Sequence, residues 1–244
     1  MFKSPAIFSR KFVLLLLVVR SSTAVSASAE SIGRTEFDPS GLPWIPLSRY
    51  STSLKFDGGA HAIALETKAF YLAGPDSEPI AVLVLTSTEG GAGANVRWLS
   101  ETCPPARPKF HTEDFGTGLN ARTRQCLVVN SAFATMAYLK ADSEIARAAT
   151  EKGLALFKSG FSIRSVYGAN GGTLLRVNLM TNRKFAGLPQ VQAKAEDRHD
   201  TSEPLVAWGE ALHKSVEESV LSMSGRLVLP PVSFGIPASG TSKE

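Results

Sequence analysis

The clearest hydrophobic pattern in this chain is a run of consecutive apolar residues, IAVLVL, at positions 80–85. A short continuous apolar run of this kind indicates a strand that is buried on both faces. Residues 61–72 are also strand-like, and Gly74, Pro75 and Asp76 between the two segments form a strong turn signal. The pattern therefore predicts two neighbouring strands, of which the second is central in a sheet.

Two further regions show strand-like patterns. Residues 127–139 stay apolar over a length that suits one bent strand or two short ones, with Asn130 and Ser131 as the break. Residues 161–167 and 173–181 flank a glycine-rich segment, and the second of them alternates between apolar and other side chains. This arrangement predicts a β-hairpin.

Two segments carry helix signals. The first begins at Asp142, whose side chain can cap the free amides, and is expected to end at Gly160. The second follows a cap at Ser202 and ends before Gly225, and its apolar residues recur at three- and four-residue spacing. These inward-facing residues are Leu205, Trp208, Leu212, Val216, Val220 and Met223.

The order of these elements predicts the fold class. It fits an α+β fold, with a mainly antiparallel sheet packed by two helices in a single domain, better than alternating βαβ units. Residues 60–229 are assigned to this domain. Residues 30–59, which contain three prolines, are expected to form an extended N-terminal arm whose Trp44 docks on the domain, and residues 230–244 a flexible C-terminal tail.

Residues 1–29 have the pattern of a cleaved signal peptide. A basic segment that ends with Arg10 and Lys11 precedes an apolar run at residues 12–19, and the motif A-S-A at residues 27–29 supplies a cleavage site. A transmembrane helix needs about 20 apolar residues, which is far more than this run provides. We therefore expect an exported protein, periplasmic or secreted, with a buried N-terminal core helix as the alternative.

The basic balance of the whole chain comes from this leader. The 244 residues include 26 Lys and Arg against 22 Asp and Glu, and the leader holds four of the basic residues and no acidic ones. The mature chain is therefore formally neutral, with 22 residues of each sign. A basic surface would favour nucleic acid or anionic membranes as partners. Since that signal leaves with the leader, we expect no nucleic-acid partner and no transmembrane anchor after cleavage.

The two cysteines, Cys103 and Cys126, are expected to form a disulfide bond. Export places them where disulfides persist, and two cysteines leave one intramolecular pairing. The 22 residues between them include several prolines and glycines, so this loop contributes little burial of its own. In the chain-entropy model its closure stabilises the fold by about 3 kcal/mol. The alternative is a pair of unrelated buried thiols.

The same loop contains a candidate polar site. His111, Glu113 and Asp114 supply an imidazole and two carboxylates, which can bind a metal or perform acid–base chemistry if other ligands converge. Charged loop residues are ordinarily solvated, so the sequence assigns no metal ligands and no catalytic residues here. The loop is a candidate for function on composition alone.

Motifs for known catalytic chemistries are absent from the sequence. It contains no G-x-S-x-G elbow, no P-loop, no H-E-x-x-H and no C-x-x-C. We interpret His61 and His213 as structural, and Arg198, His199 and Asp200 as part of an exposed connector. No cofactor is expected.

Three hypotheses for function follow from the sequence. The first is an exported, non-catalytic envelope or secreted protein that binds a protein partner or a small apolar ligand. The second is a periplasmic hydrolase or metal-dependent enzyme that uses the loop with His111, Glu113 and Asp114. The third is a secreted effector or surface protein that acts outside the cell.

Overall fold

The computed structural model describes residues 29–38, 42–56, 61–74, 76–90, 103, 110–114, 123–169, 171–182 and 203–231. Within these ranges the chain forms ten strands and three helices. In chain order they are β1 (Glu30–Ile32), β2 (Thr35–Asp38), β3 (Ile45–Phe56), β4 (His61–Ala73), β5 (Pro79–Thr88), β6 (Phe110–Asp114), β7 (Thr123–Phe133), α1 (Thr135–Ala141), α2 (Ser143–Glu151), β8 (Gly160–Ala169), β9 (Thr173–Asn182), α3 (Glu203–Leu221) and β10 (Arg226–Val228).

Seven of these strands form one antiparallel sheet in the order β3-β4-β5-β9-β8-β7-β6. Strands β3 to β5 form one group of sequential neighbours and β6 to β9 another, and the β5–β9 pair joins the two groups. Strand β6 therefore lies at one edge of the sheet and β3 at the other. The prediction of a single α+β domain with a mainly antiparallel sheet is confirmed, but the described residues form three helices where the sequence predicted two.

Strand β5 is buried on both faces. Val82, Leu83 and Leu85 have no exposed surface, and Val84 is also buried. Because side chains alternate between the two faces of a strand, burial of consecutive residues requires cover on each side. The prediction of a doubly buried strand at residues 80–85 is confirmed.

Alternation along the strands divides the core into layers on the two faces of the sheet. On one face, called the α3 face, Leu83 and Leu127 share a cluster with Leu212 of α3. On the other, called the α2 face, Val82 shares a cluster with Ile145 of α2. Apolar clusters that include helical residues thus lie on both faces.

Strands β8 and β9 form the predicted hairpin, in a register that pairs Ala169 with Thr173 and Gly160 with Asn182. Gly172, in the turn, has a φ angle of +87°. Glycine reaches this region without the steric cost that a Cβ atom imposes, so the sequence suits a tight reversal at this point.

The segment after β7 differs from the prediction. The sequence pattern extends strand structure to residue 139, whereas β7 ends at Phe133 and helix α1 begins at Thr135. Thr135 and Leu139 are both fully buried, one turn apart on the same face of α1. A short apolar segment fits either a buried strand or the inward-facing side of a helix. The apolar pattern alone therefore did not distinguish α1 from a strand.

Helix α2 begins as predicted and ends earlier. The Asp142 side chain accepts a hydrogen bond from the Ile145 amide at 3.2 Å, and its other carboxylate oxygen accepts one from the Tyr50 hydroxyl of β3. The helix ends at Glu151, not near Gly160, because Gly153 adopts a φ of +65° that interrupts helical geometry. The cap thus also connects α2 to the sheet.

Helix α3 is the long helix that the apolar spacing predicts. Leu205, Leu212 and Val216 are buried in the core of the α3 face, and Trp208 packs against it. Met223 is fully exposed, so its assignment to the inner side of the helix is wrong. The helix ends at Leu221, and the periodicity has no structural meaning beyond that residue.

The segment assigned to an extended N-terminal arm contributes three strands. Strands β1 and β2 pair antiparallel, and β10 joins β2 in parallel, which gives a small separate sheet. Trp44 is buried in the core of the α3 face. Pro46 lies in the edge strand β3 beside a register shift, where a missing amide hydrogen bond is tolerated. Prolines therefore exclude a helix from this segment without preventing sheet formation.

Candidate functional site

A disulfide links Cys103 to Cys126, whose Cα atoms lie 5.5 Å apart. Cys126 is part of β7 and pairs with Asp114 of the edge strand β6. The Sγ atom of Cys103 lies 3.4 Å from the carbonyl oxygen of Glu113 and 3.8 Å from that of Gln125. The predicted disulfide is confirmed, and β6 lies within the loop that it closes.

Strand β6 separates the three residues of the predicted polar loop. His111 and Glu113 pair with residues of β7 that belong to the core of the α3 face, whereas Asp114 pairs with Cys126, which belongs to a cluster on the opposite face. Residues two apart in a strand share a face, and adjacent residues do not. The structure therefore brings His111 and Glu113 together and places Asp114 on the other side of the sheet.

Helix α3 supplies a third polar side chain from a distant part of the chain. Gly209 is buried, and a Cβ atom at this position would lie 2.9 Å from Cγ2 of Val129. The missing side chain lets the helix lie close to β7, and the next residue is Glu210. One donor atom each from Glu210, His111 and Glu113 lie within 4.8 Å of one another. We call these three residues the seam site, since α3 meets the edge of the sheet there.

The seam site is accessible to solvent but held by regular structure. His111 Nε2 lies 2.7 Å from Glu113 Oε1, and the side chains of these two residues are 32% and 28% exposed. Glu210 is exposed on α3. A strand and a helix fix the three backbones, so a small solute can reach donors whose spacing is largely set by the fold.

A buried hydrogen-bonded network lies under α3 beside the seam site. His213 Nδ1 is 2.8 Å from Ser165 Oγ, and His213 Nε2 is 3.2 Å from Gln125 Oε1. Gln125 Nε2 donates to Glu217 Oε1 at 3.2 Å. Because a carboxylate only accepts hydrogen bonds, the amide nitrogen of Gln125 must face Glu217. The amide oxygen of Gln125 then faces His213 and accepts a hydrogen bond from it. This places a proton on Nε2, and in the neutral imidazole the Ser165 hydroxyl then donates to Nδ1.

The Ser165–His213 pair has the composition of a nucleophile and its base. Such a pair acts in catalysis only when the hydroxyl can reach a substrate. Ser165 has no exposed surface and His213 is 4% exposed, with β8 on one side and α3 on the other. In this packing the pair fastens the helix to the sheet.

The pKa of His213 is lowered from its usual value by burial, while the negative charges of Glu217 and Glu113 act in the opposite direction. Burial disfavours the charged imidazolium, and a nearby carboxylate favours it. Glu113 therefore links the buried network electrostatically to the seam site. The neutral form of His213 agrees with the hydrogen bonds assigned to it.

We expect this histidine to make the stability of the fold depend on pH. Since its folded-state pKa is lowered, the unfolded chain takes up the proton first as the pH falls through the usual histidine value of about 6.5. Stability should therefore be complete above that pH and decrease below it. In thermal melts between pH 8 and pH 5, His213→Gln should lose less stability than the parent over this interval. Parallel curves for the two proteins would contradict the assignment.

The sequence analysis did not include the polar residues of α3 in the candidate site, and two of its other candidates lie outside the described residues. Glu210, His213 and Glu217 recur at three- and four-residue spacing, a signal of one helical face that the sequence contains. Their partners on the sheet cannot be read from spacing. The side chain of His61 and residues 198–200 lie outside the described part of the chain.

Comparisons with family models, with curated proteins and with solved structures find no match to this chain. Among the residues that the structure describes, no helix has the length and apolar character needed to cross a membrane. A fold supports many functions, so function has to be argued from the geometry of the site.

Proposed function

We propose that this chain is an exported, non-catalytic binding protein, and that it binds a positively charged ligand at the seam site. The observation that carries the proposal is the convergence of His111 and Glu113 with Glu210, which is almost a hundred residues away in the sequence. Two carboxylates and an imidazole, held at a solvent-accessible edge by a strand and a helix, form a surface that attracts cations.

The packing beneath the seam site favours a polar ligand over a small apolar one. Leu212 and Val216 of α3 have no exposed surface, and they pack in one cluster with Leu127 and Val129 of β7. Apolar ligands bind in cavities lined by such side chains. Here the side chains fill the space between helix and sheet, so the accessible chemistry at this junction is that of the carboxylates and the imidazole.

Export is supported by two features. The leader pattern at residues 1–29 is that of a secretory signal. The Cys103–Cys126 disulfide belongs to chemistry that persists in oxidising compartments such as the periplasm or the exterior. The cellular location is therefore part of the proposal, together with cleavage of the leader.

A metal-dependent hydrolase is the second candidate. Catalytic zinc sites use three protein ligands and keep the fourth position for water, and the seam site offers three donors at an accessible surface. In such a hydrolase the third metal ligand would be Glu210, whereas the sequence suggested Asp114. Turnover of chromogenic ester, amide or phosphate substrates that is lost in Glu210→Gln would favour the enzyme.

Native mass spectrometry of the exported protein tests the binding proposal. The chain is expressed with its leader in a bacterial host and purified from the exported fraction without denaturation. We expect a chain that begins at Glu30 and carries an additional non-covalent mass. The double variant His111→Ala/Glu210→Gln should lose that mass, because both changes remove groups that contact the ligand.

Glu218→Gln is the matched control, since Glu218 is an exposed residue of the same helix, paired with Lys214 at 3.9 Å, outside the seam site. It should retain the additional mass. A chain that keeps the leader would contradict export. The absence of a bound mass, or its survival in the double variant, would contradict ligand binding at the seam site.

A further inference from the structure

The chemical types of the three donors restrict which cation the seam site can hold. One is an imidazole nitrogen of His111, whose Nε2 contacts Glu113, and two are carboxylate oxygens, from Glu113 and Glu210. Calcium takes six to eight oxygen ligands, and magnesium prefers an octahedron of oxygens that includes several waters. Imidazole together with carboxylate is typical of sites for zinc and related transition metals.

We propose that the ligand of the seam site is a divalent transition-metal ion of the zinc type, coordinated by His111, Glu113 and Glu210. This inference rests on the proposed function and names the class of its ligand. The ion binds the imidazole nitrogen and one oxygen of each carboxylate, and solvent completes the coordination shell on the exposed side.

The spacing of the donors is close to what such an ion requires. Ligand atoms that lie roughly 2.0–2.2 Å from zinc in a tetrahedral arrangement are separated from one another by about 3.3–3.6 Å. The three donors lie within 4.8 Å of one another, and His111 and Glu113 are already in contact at 2.7 Å. Small side-chain rotations move one pair apart and bring Glu210 closer, without any change in β6 or α3.

Binding of the ion replaces the proton that His111 and Glu113 share in their hydrogen bond. The imidazole nitrogen that ligates a metal carries no proton, so the single proton of a neutral His111 lies on Nδ1 when the ion occupies Nε2. The positive charge of the ion then offsets the two carboxylates.

The test uses the purified, disulfide-bonded protein after removal of any histidine tag and of bound metals with a chelator. Isothermal titration calorimetry with Zn²⁺ should give one ion per chain. The Kd for Ca²⁺ and Mg²⁺ should be at least 100-fold weaker. Glu210→Gln and His111→Ala should each weaken the Kd for Zn²⁺ at least tenfold, because each removes one ligand of the proposed site.

Two control variants test whether the loss of zinc affinity is specific to the residues of the seam site. Glu218→Gln removes a carboxylate from the same helix, and Asp114→Asn removes the one that follows Glu113 on β6 but lies on the opposite face. Both should keep the Kd for Zn²⁺ within about twofold of the parent. An effect of Asp114→Asn as large as that of Glu210→Gln would overturn the proposed ligand set.

Imidazole nitrogen chemical shifts provide a readout that a general loss of stability does not produce. Addition of Zn²⁺ should shift Nε2 of His111 strongly and leave the nitrogens of His213 near their starting values. Absence of saturable zinc binding, or a Kd unchanged in Glu210→Gln, would overturn the metal assignment. If the exported protein carries an organic or protein ligand that depends on seam residues, the proposed function stands and the metal assignment fails.

Discussion

The substitution Leu83→Asp is expected to prevent the chain from folding into soluble protein. Leu83 lies at the centre of β5, has no exposed surface and packs among apolar residues of the α3 face. An aspartate there has no partner for its charge, and burial of an unpaired charge costs several kcal/mol in addition to the lost apolar contacts. The free energy of unfolding of a domain is only about 5–15 kcal/mol, so this single change removes much or all of it.

Leu221→Asp is the matched control, because it makes the same chemical change at a leucine that is 66% exposed at the end of α3. Expression with fractionation and a thermal melt should find Leu83→Asp in the insoluble fraction and Leu221→Asp folded with a melting temperature near that of the parent. Soluble, parent-like Leu83→Asp would show that β5 is not the buried centre of the sheet.

Removal of the disulfide is expected to have the second largest effect. The double variant Cys103→Ser/Cys126→Ser should lose about 3 kcal/mol of stability, since closing a loop of this length restricts the unfolded chain by that amount. For a chain of this size the loss corresponds to a decrease in melting temperature of roughly 6–12 °C. The remaining core is large enough that the variant should still fold.

Chemical reduction of the parent provides the control for the two serines. Reduced parent and double variant should unfold at nearly the same denaturant concentration, below that of the oxidised parent. An oxidised parent that is no more stable than the double variant would contradict a stabilising role for the bond. Thiol titration of the denatured, unreduced protein should find no free cysteine.

The sheet could be predicted from sequence wherever one local signal was strong enough. The apolar run at 80–85 can satisfy its side chains only inside a core, and the glycines around Gly172 permit the reversal between β8 and β9. Both signals depend on neighbouring residues alone. Asp142 is a third example, because its side chain caps the amides of the turn that follows it.

The elements that could not be predicted depend on distant partners. Residues 135–139 are apolar enough for a strand, and α1 forms because Thr135 and Leu139 can both turn inward from a helix at that position. Strand β2 gains its second neighbour from β10, at the far end of the chain. No local pattern contains that pairing.

The candidate site shows the same division between local and distant information. Strand alternation could have separated Asp114 from His111 and Glu113, had residues 110–114 been assigned to a strand instead of a loop. Glu210 could not have been added, since its position depends on the close approach of α3 to β7 at Gly209. Composition therefore named two of the three residues of the seam site together with Asp114, which lies on the opposite face of the sheet.

The position of β6 inside the disulfide loop connects formation of the bond to the proposed ligand site. Strand β6 is a five-residue edge strand that pairs with β7 on one side, and the disulfide joins Cys103, which precedes it in the chain, to β7. Formation of the Cys103–Cys126 bond fixes both ends, and with them the backbone that carries His111 and Glu113. In the proposed exported protein this step follows translocation, because the reducing cytosol keeps thiols reduced. The proposed zinc-type ion would then be taken up outside the cytoplasm, where the disulfide has formed.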